Sequence, residues 1–429
     1  MPSPSRRWLR RGLVAGAAVL VVAGAVVAYV LLNAPGNVSH PNVSFTAPKR
    51  KVRSHASTPH VSNFLWPWYG YNAVRTRYFP DPKLDPPFHH GWSYEDYALL
   101  EFPPVMYRGR LYLVDNNGSA KGINATNGHL IWQRKVGTLA AASPAIDARR
   151  GLLFVPLLSV RGRSPGNGAL VALSMRTGRI AWSRHIAAGT ESSPIVWQKR
   201  VYFGDQDGNV YALGTQAGKV RWMYRATGAV KGGPSISGGR LYFGDYAGRA
   251  YALNARNGHP IWTANTNGTE FGFGSGNFYA TPAVAFGRVY MGNTDGRVYS
   301  FSAHTGQLAW ATSTGAYVYS SAAVDNTPGL GPTVYVGSYD GHLYAFNARS
   351  GAIRWSHDAG GRISGSPQII GNIVYYADLA SKTTAGLNVR TGRKVFSFGD
   401  GAFNPAISDG HAVYLVGYSK VYQLLPRHR

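Results

Sequence analysis

Apart from one long apolar stretch near its start, the chain alternates short apolar runs with turns rich in Gly, Asn, Asp and Pro. Residues 194–224 show the pattern. Apolar runs at Pro194–Trp197, Val201–Gly204, Val210–Leu213 and Val220–Tyr224 are broken by Asp207-Gly208 and Ala217-Gly218. Such runs, rich in Val and aromatics and bounded by turn residues, predict four short strands, with Gly at turns where positive φ is easiest. The exception is Gly12–Leu32, uncharged throughout and preceded by Arg6, Arg7, Arg10 and Arg11. A run of roughly 20 apolar residues is long enough to span a bilayer as a helix. The flanking arginines predict a cytoplasmic tail at 1–11, a signal anchor at 12–32 and export of everything after it.

The four-run unit recurs. A Gly four residues before an aromatic appears at Gly128/Trp132, Gly178/Trp182, Gly218/Trp222, Gly258/Trp262, Gly306/Trp310, Gly351/Trp355 and Gly392/Phe396. Each unit opens on a Pro, usually after a small residue: Pro104, Pro144, Pro194, Pro234, Pro282, Pro367 and Pro405, with Ala322 in the remaining place. A four-stranded repeat of about 40 residues is the signature of a propeller blade. Trp92 has no complete unit before it, and the last unit stops after three runs, near Leu425. Placing the Trp92 strand beside Leu424 completes an eighth blade from both ends of the chain and leaves no open sheet edge. The expected fold is all-β: an eight-bladed propeller over 89–429, its last blade closed by an N-terminal strand, preceded by one transmembrane helix. Residues 33–63 carry few apolar side chains and a basic cluster, Lys49 to Arg53, and read as a flexible tether. Residues 64–88 are dense in aromatics and prolines and read as a strap lying on the larger body.

Composition adds two constraints. The chain has no cysteine, which excludes disulfides, thiolate metal sites and a lipidated N-terminal Cys. Its formal charge of +25 predicts attraction to anionic surfaces, although basic residues are spread over every repeat. Histidines are dispersed without metal-ligand spacing, and neither a phosphate loop nor a nucleophile elbow is present.

The motif Thr-Gly-x-x-x-Trp preceded by Val-Tyr-Ala-Leu resembles the tryptophan-docking repeat of the pyrroloquinoline-quinone-type (PQQ-like) eight-bladed propellers. The resemblance covers residues 66–429, and Trp66–Tyr78 looks like the segment preceding the first strand in quinoprotein dehydrogenases. Two branches are implied. Quinoprotein alcohol dehydrogenases bind PQQ and Ca²⁺ over the central funnel, whereas propellers resembling the outer-membrane β-barrel assembly factor BamB carry no cofactor and bind other proteins. This chain lacks the vicinal Cys pair of the enzymes and a recognisable catalytic Asp with Ca²⁺ ligands, so the BamB-like branch is favoured and catalytic, cofactor and metal residues are expected to be absent. It also lacks the lipobox Cys of that branch and carries an apolar run in its place.

Trp92, Trp132, Trp182, Trp222, Trp262, Trp310, Trp355 and Phe396 are expected to pack between blades. Three residues before each opening marker stand Glu101, Ala141, Glu191, Lys231, Tyr279, Tyr319, Ser364 and Ala402, expected at the funnel mouth; two carboxylates, an ammonium and two phenols there suit a polar ligand or a peptide. Two insertions belong on the same face: Leu157–Ala169, with Arg161 and Arg163, and Asn267–Tyr279, whose Phe271, Phe273 and Phe278 suit a partner's apolar groove when exposed. The expectation is a single-pass membrane protein whose monomeric propeller stands on the extracytoplasmic side. It would bind envelope proteins or anionic envelope polymers and no nucleic acid, with a PQQ- and Ca²⁺-dependent dehydrogenase as the alternative.

Overall fold

The structure is a computed structural model that describes residues 36–48, 64–80, 84–160, 167–266 and 276–427, together with Gly16, Val19–Val22 and Gly24. The chain divides into two units, Met1–Asn37 and Val38–Arg429. In the first, Gly16, Val19–Val22 and Gly24 are helical, and Gly36 and Asn37 are not. The expected membrane span at 12–32 lies mostly outside the described residues, and among those described no helix is long and apolar enough to cross a membrane.

The second unit forms eight sheets, antiparallel except where Tyr78–Phe79 pairs parallel with the blade over 368–398. Blade 1 has strands Val105–Tyr107, Arg110–Val114, Ser119–Asn124 and Leu130–Lys135, running from the axis to the rim. Blades 2 to 7 repeat that order over residues 145–186, 195–225, 235–265, 283–313, 323–358 and 368–398. Blade 8 takes Ala406–Ser408, Val413–Val416 and Lys420–Pro426 from the end of the chain and Phe88–Glu95 from its start, with Leu424 opposite His90. Ring closure therefore falls where the half-units at the two ends predict it.

The docking aromatics hold neighbouring blades together by one device. Each indole N–H donates to a carbonyl of the next blade: Trp92 to Ala125 at 3.0 Å, Trp182 to Thr215 at 2.9 Å, Trp310 to Ala348 at 3.0 Å. The marker Gly of the next blade lies flat on the same ring. Gly351 has φ +77° and a Cβ there would stand 2.7 Å from Trp310 Cδ2, so both its backbone and its lack of a side chain are required. Phe396 faces blade 8, whose outer strand comes from the N-terminus and offers no turn carbonyl. It packs edge-on against Phe88 at 5.6 Å, and a ring without N–H leaves nothing unpaired.

Two segments outside the repeat take positions that the repeat pattern does not specify. The strap at 64–80 buries its aromatics against the propeller by running through the central channel. Leu65–Trp66 pairs with the inner strand of blade 1 and Tyr78–Phe79 with that of blade 7. Between them the carbonyls of Pro67, Ala73, Val74 and Thr76 accept from Ile146, Ile236, Val284 and Val324 of blades 2, 4, 5 and 6. Blade 3 is reached by the buried Arg75, whose guanidinium donates to the carbonyls of Ser193 and Pro194 at 3.1 and 3.0 Å. The inner strands of a propeller leave backbone donors facing the axis, and the strap satisfies them.

Part of the expected tether is also docked. Val38–Ser39 adds a fifth strand to the rim of blade 5, beside Trp310 and Ala311. Arg288 donates to the carbonyls of Val43 at 2.9 Å and Pro41 at 3.0 Å, and Phe45 rests on Phe286 at 5.9 Å. Low apolar content does not free this segment, because backbone pairing and a guanidinium hold it.

Candidate functional site

The connections from the outer strand of one blade to the inner strand of the next converge at one end of the channel, the mouth. They enclose a cavity of about 270 Å³. Glu101, Glu191, Lys231, Tyr279, Tyr319 and Ser364 line it, as their common offset from the opening marker predicts. Ala141 and Ala402 are buried and stand outside it.

A collar of hydrogen bonds positions these side chains. In six of the eight places the residue before the opening marker carries a hydroxyl or amide that a neighbour uses, the exceptions being Pro103 and Gly233. Thr281 N–H donates to Ser321 Oγ at 2.9 Å, Ser321 N–H to Ser366 Oγ at 2.8 Å, and Ser366 N–H to Asn404 Oδ1 at 3.3 Å. Asn404 Nδ2 passes the chain to the Glu101 carbonyl at 2.9 Å. The floor is Tyr69 of the strap, whose hydroxyl contacts Ser366 Oγ and Asn404 Oδ1, each at 2.9 Å. Because the strap fills the channel behind it, the cavity is a cup and not a pore.

The two carboxylates differ in environment. Glu191 is fully engaged: Lys231 Nζ at 2.9 Å, Gln206 Nε2 at 2.7 Å and the Tyr279 hydroxyl at 3.2 Å. Glu101 has no side-chain partner among the described residues. Burial, reinforced by the Glu191 charge, pushes its carboxyl up to about 7. Tyr279 is held well above the usual phenol range, first by burial and then by the Glu191 and Glu101 charges, so it stays a neutral donor. Tyr279, Tyr319 and Tyr339 form one aromatic wall, with ring centres 5.6 and 4.9 Å apart. Lys231 Nζ sits 5.0 Å from the Tyr246 ring. Below the floor, Arg77 stacks on Tyr69 at 3.8 Å; burial lowers its basicity, as it lowers that of Arg75 to about 9.

Tyr69, Phe102, Gln206, Tyr246, Tyr339, Phe403 and Asn404 belong to this site, yet the offset rule misses them. Gln206, Tyr246 and Tyr339 had a readable signal: each opens the turn between the second and third strands of its blade, which rises to the same face. Of the insertion residues, Arg161, Arg163, Phe271 and Phe273 lie outside the described residues. Phe278 is a correction. It is fully buried, edge-on to Tyr299 at 5.7 Å and to Phe301 at 6.3 Å, because its backbone N–H donates to the Asp245 carbonyl and turns the ring into the space between blades 4 and 5.

A quinone cofactor bearing carboxylates needs cations around it. The cup walls offer Glu101, Glu191 and one ammonium already paired with Glu191, and the guanidiniums of Arg75 and Arg77 are behind the floor. Among the described residues no three His, Cys, Asp or Glu side chains converge. This donor set does not match such a cofactor.

A ring of eight four-stranded blades locked by docking tryptophans, with a blind cup on its axis, defines the PQQ-like class of propellers. Within that class, the family model described as outer membrane protein assembly factor BamB matches residues 90–197, 166–329 and 320–427, and the chain belongs to that family. The outer membrane protein assembly factor BamB of Yersinia pestis is 32% identical over 112 residues, which is 26% of this chain and 28% of that protein. The match thus spans less than a third of this relative. Among solved structures, BamB from Moraxella catarrhalis superposes with a TM-score of 0.64 at 19% identity, covering 79% of this chain and all of that one. A quinohemoprotein alcohol dehydrogenase from Pseudomonas putida superposes with a TM-score of 0.70 at 14% identity, covering 90% and 84%. At these identities the two structures speak to the fold alone.

Proposed function

We propose that the chain is a binding scaffold of the cell envelope, anchored by the apolar segment 12–32, with its propeller on the extracytoplasmic side. Its cup takes a side chain of a partner protein. The observation that carries this reading is Glu101: a carboxyl with no side-chain partner among the described residues, pushed up to about 7 by burial in a blind cup walled by tyrosines. A cationic or hydrogen-bond-donating side chain would supply the missing partner, and the aromatic wall favours a cation over its faces. Family membership supports a protein partner, since BamB is described as an assembly factor. The insertion at 267–279, which follows the outer strand of blade 4 in sequence, would extend the contact through Phe271 and Phe273.

In-cell photocrosslinking tests this. Photoreactive residues at Phe271 and at the half-exposed Tyr317 on the mouth should capture the same partner, and Met223 on the rim should not. Equal capture from all three positions refutes the reading. The dehydrogenase alternative predicts instead that added PQQ and Ca²⁺ raise the melting temperature and permit dye reduction with alcohols.

A further inference from the structure

The end of the propeller opposite the mouth carries a second feature, independent of the cup. It is built from the turns joining strands one and two and strands three and four of each blade. In blades 1 to 4 those turns are Tyr107–Arg110, Asp147–Leu152, Trp197–Arg200 and Ser237–Arg240, and the segments 124–130, 174–180, 214–220 and 254–260. Asp147 is the one acid in them, and it is buried and paired with Arg150 at 3.3 Å. Every other charged side chain there is basic, and Arg108, Arg149, Arg176, Arg179, Lys199 and Lys219 are exposed. The acids of the same blades stand at the other end: Asp115, Glu191, Asp205, Asp207 and Asp245 lie in mouth-side turns and connections. The acids of blades 1 to 4 are therefore gathered at the mouth, where Lys121, Lys135, Arg225, Lys231 and Arg249 accompany them, and the opposite end is left basic.

The relief of this surface follows the charge. An open groove of about 490 Å³ between blades 1 and 2 is lined by Arg108, Arg110, Arg150 and Arg176 with Tyr107 and Tyr112. Beside it, between blades 2 and 3, a shallower groove presents Arg149, Arg150 and Lys199. The cations do not converge on one point, as they would around a single small anion. They spread over the turn tips at one end of a disc, which suits a flat anionic surface.

The geometry points to this end of blades 1 to 4 as a docking face for an anionic phospholipid bilayer, with phosphates entering the two arginine-lined grooves. Bilayer contact here turns the mouth away from the lipid and leaves the cup open to a partner. A basic residue close to an anionic leaflet contributes a factor of about five in partition, and the effect decays within a Debye length.

The test uses the full chain in vesicles of phosphatidylglycerol with phosphatidylcholine, and of phosphatidylcholine alone. A phospholipid with a photoreactive headgroup is included, and labelled peptides are mapped by mass spectrometry. Labels should fall on the turns at 107–110, 147–152 and 175–180, about fivefold or more above the neutral vesicles, and should fade as salt is raised. The variant Arg149→Glu, Arg176→Glu, Arg179→Glu, Lys219→Glu should lose them while melting as the parent does. If that variant fails to fold, the same four positions as Gln decide. Equal labelling in both vesicles, labels on the mouth, or retention by the folded variant overturns the proposal. Full competition by inorganic phosphate overturns it in favour of a small-anion groove, and preferential protection of these turns by RNA overturns it in favour of a nucleic-acid face.

Discussion

The docking ring and the cup are built from the same repeat, yet they behave as opposites. At the ring, equivalent positions hold equivalent residues: an indole, the carbonyl it donates to and the Gly beneath it recur from blade to blade. At the cup, equivalent positions hold Glu101, Glu191, Lys231, Tyr279, Tyr319 and Ser364, no two neighbours alike except the paired tyrosines. Repetition is what a self-supporting ring needs. Chemical asymmetry at symmetry-related positions is what an oriented ligand needs. Where a repeat protein departs from its own repeat is therefore the place to look for binding.

Four substitutions test that contrast. Trp310→Ala should cost about 3–5 kcal/mol, because a fully buried indole leaves a cavity and gives up its hydrogen bond to the Ala348 carbonyl. Chemical denaturation measures it, and partner capture per folded molecule should not change. Gly351→Ala should cost about 1–3 kcal/mol, since its Cβ would strike the same indole, and the double variant with Trp310→Ala should cost less than the sum. Tyr69→Phe should cost about 1–2 kcal/mol by leaving Ser366 and Asn404 without their common hydroxyl at the floor.

The smallest stability effect belongs to Glu101→Gln, and its sign depends on pH. The folded carboxyl is pushed up to about 7 from the usual carboxylate range, so the native state binds more protons than the unfolded state between those limits. Stability of the parent therefore falls as pH rises through that window. The Gln variant should melt about 2 °C above the parent at pH 8 and match it at pH 4, read by thermal scans at the two values.

The sequence disclosed whatever was repeated. Trp92 as an orphan strand, Leu424 as its neighbour and the offset that brings six mouth residues together were all countable. What lay outside the repeat was not. The strap's aromatics announced burial, but only the structure shows that the carbonyls of Pro67, Ala73, Val74 and Thr76 thread them down the axis, since backbone pairing leaves no mark on residue type. Residues 38–46 read as a tether for the same reason. Phe278 misled because an aromatic in a long insertion carries no label saying whether it turns in or out. The small residue before each opening Pro was visible as a preference, and the collar of Thr281, Ser321 and Ser366 supplies its cause. The gathering of acids at one end needed knowledge of which turns share that end.

Photocrosslinking from Tyr317 in the parent and in Glu101→Gln, at pH 6 and pH 8, bears most directly on the claim that function resides in the cup. With a carboxyl near 7, the parent should capture its partner up to about tenfold more at pH 8 than at pH 6, and the Gln variant should be weak and flat across that range. Equal capture by parent and variant at both pH values would contradict the account.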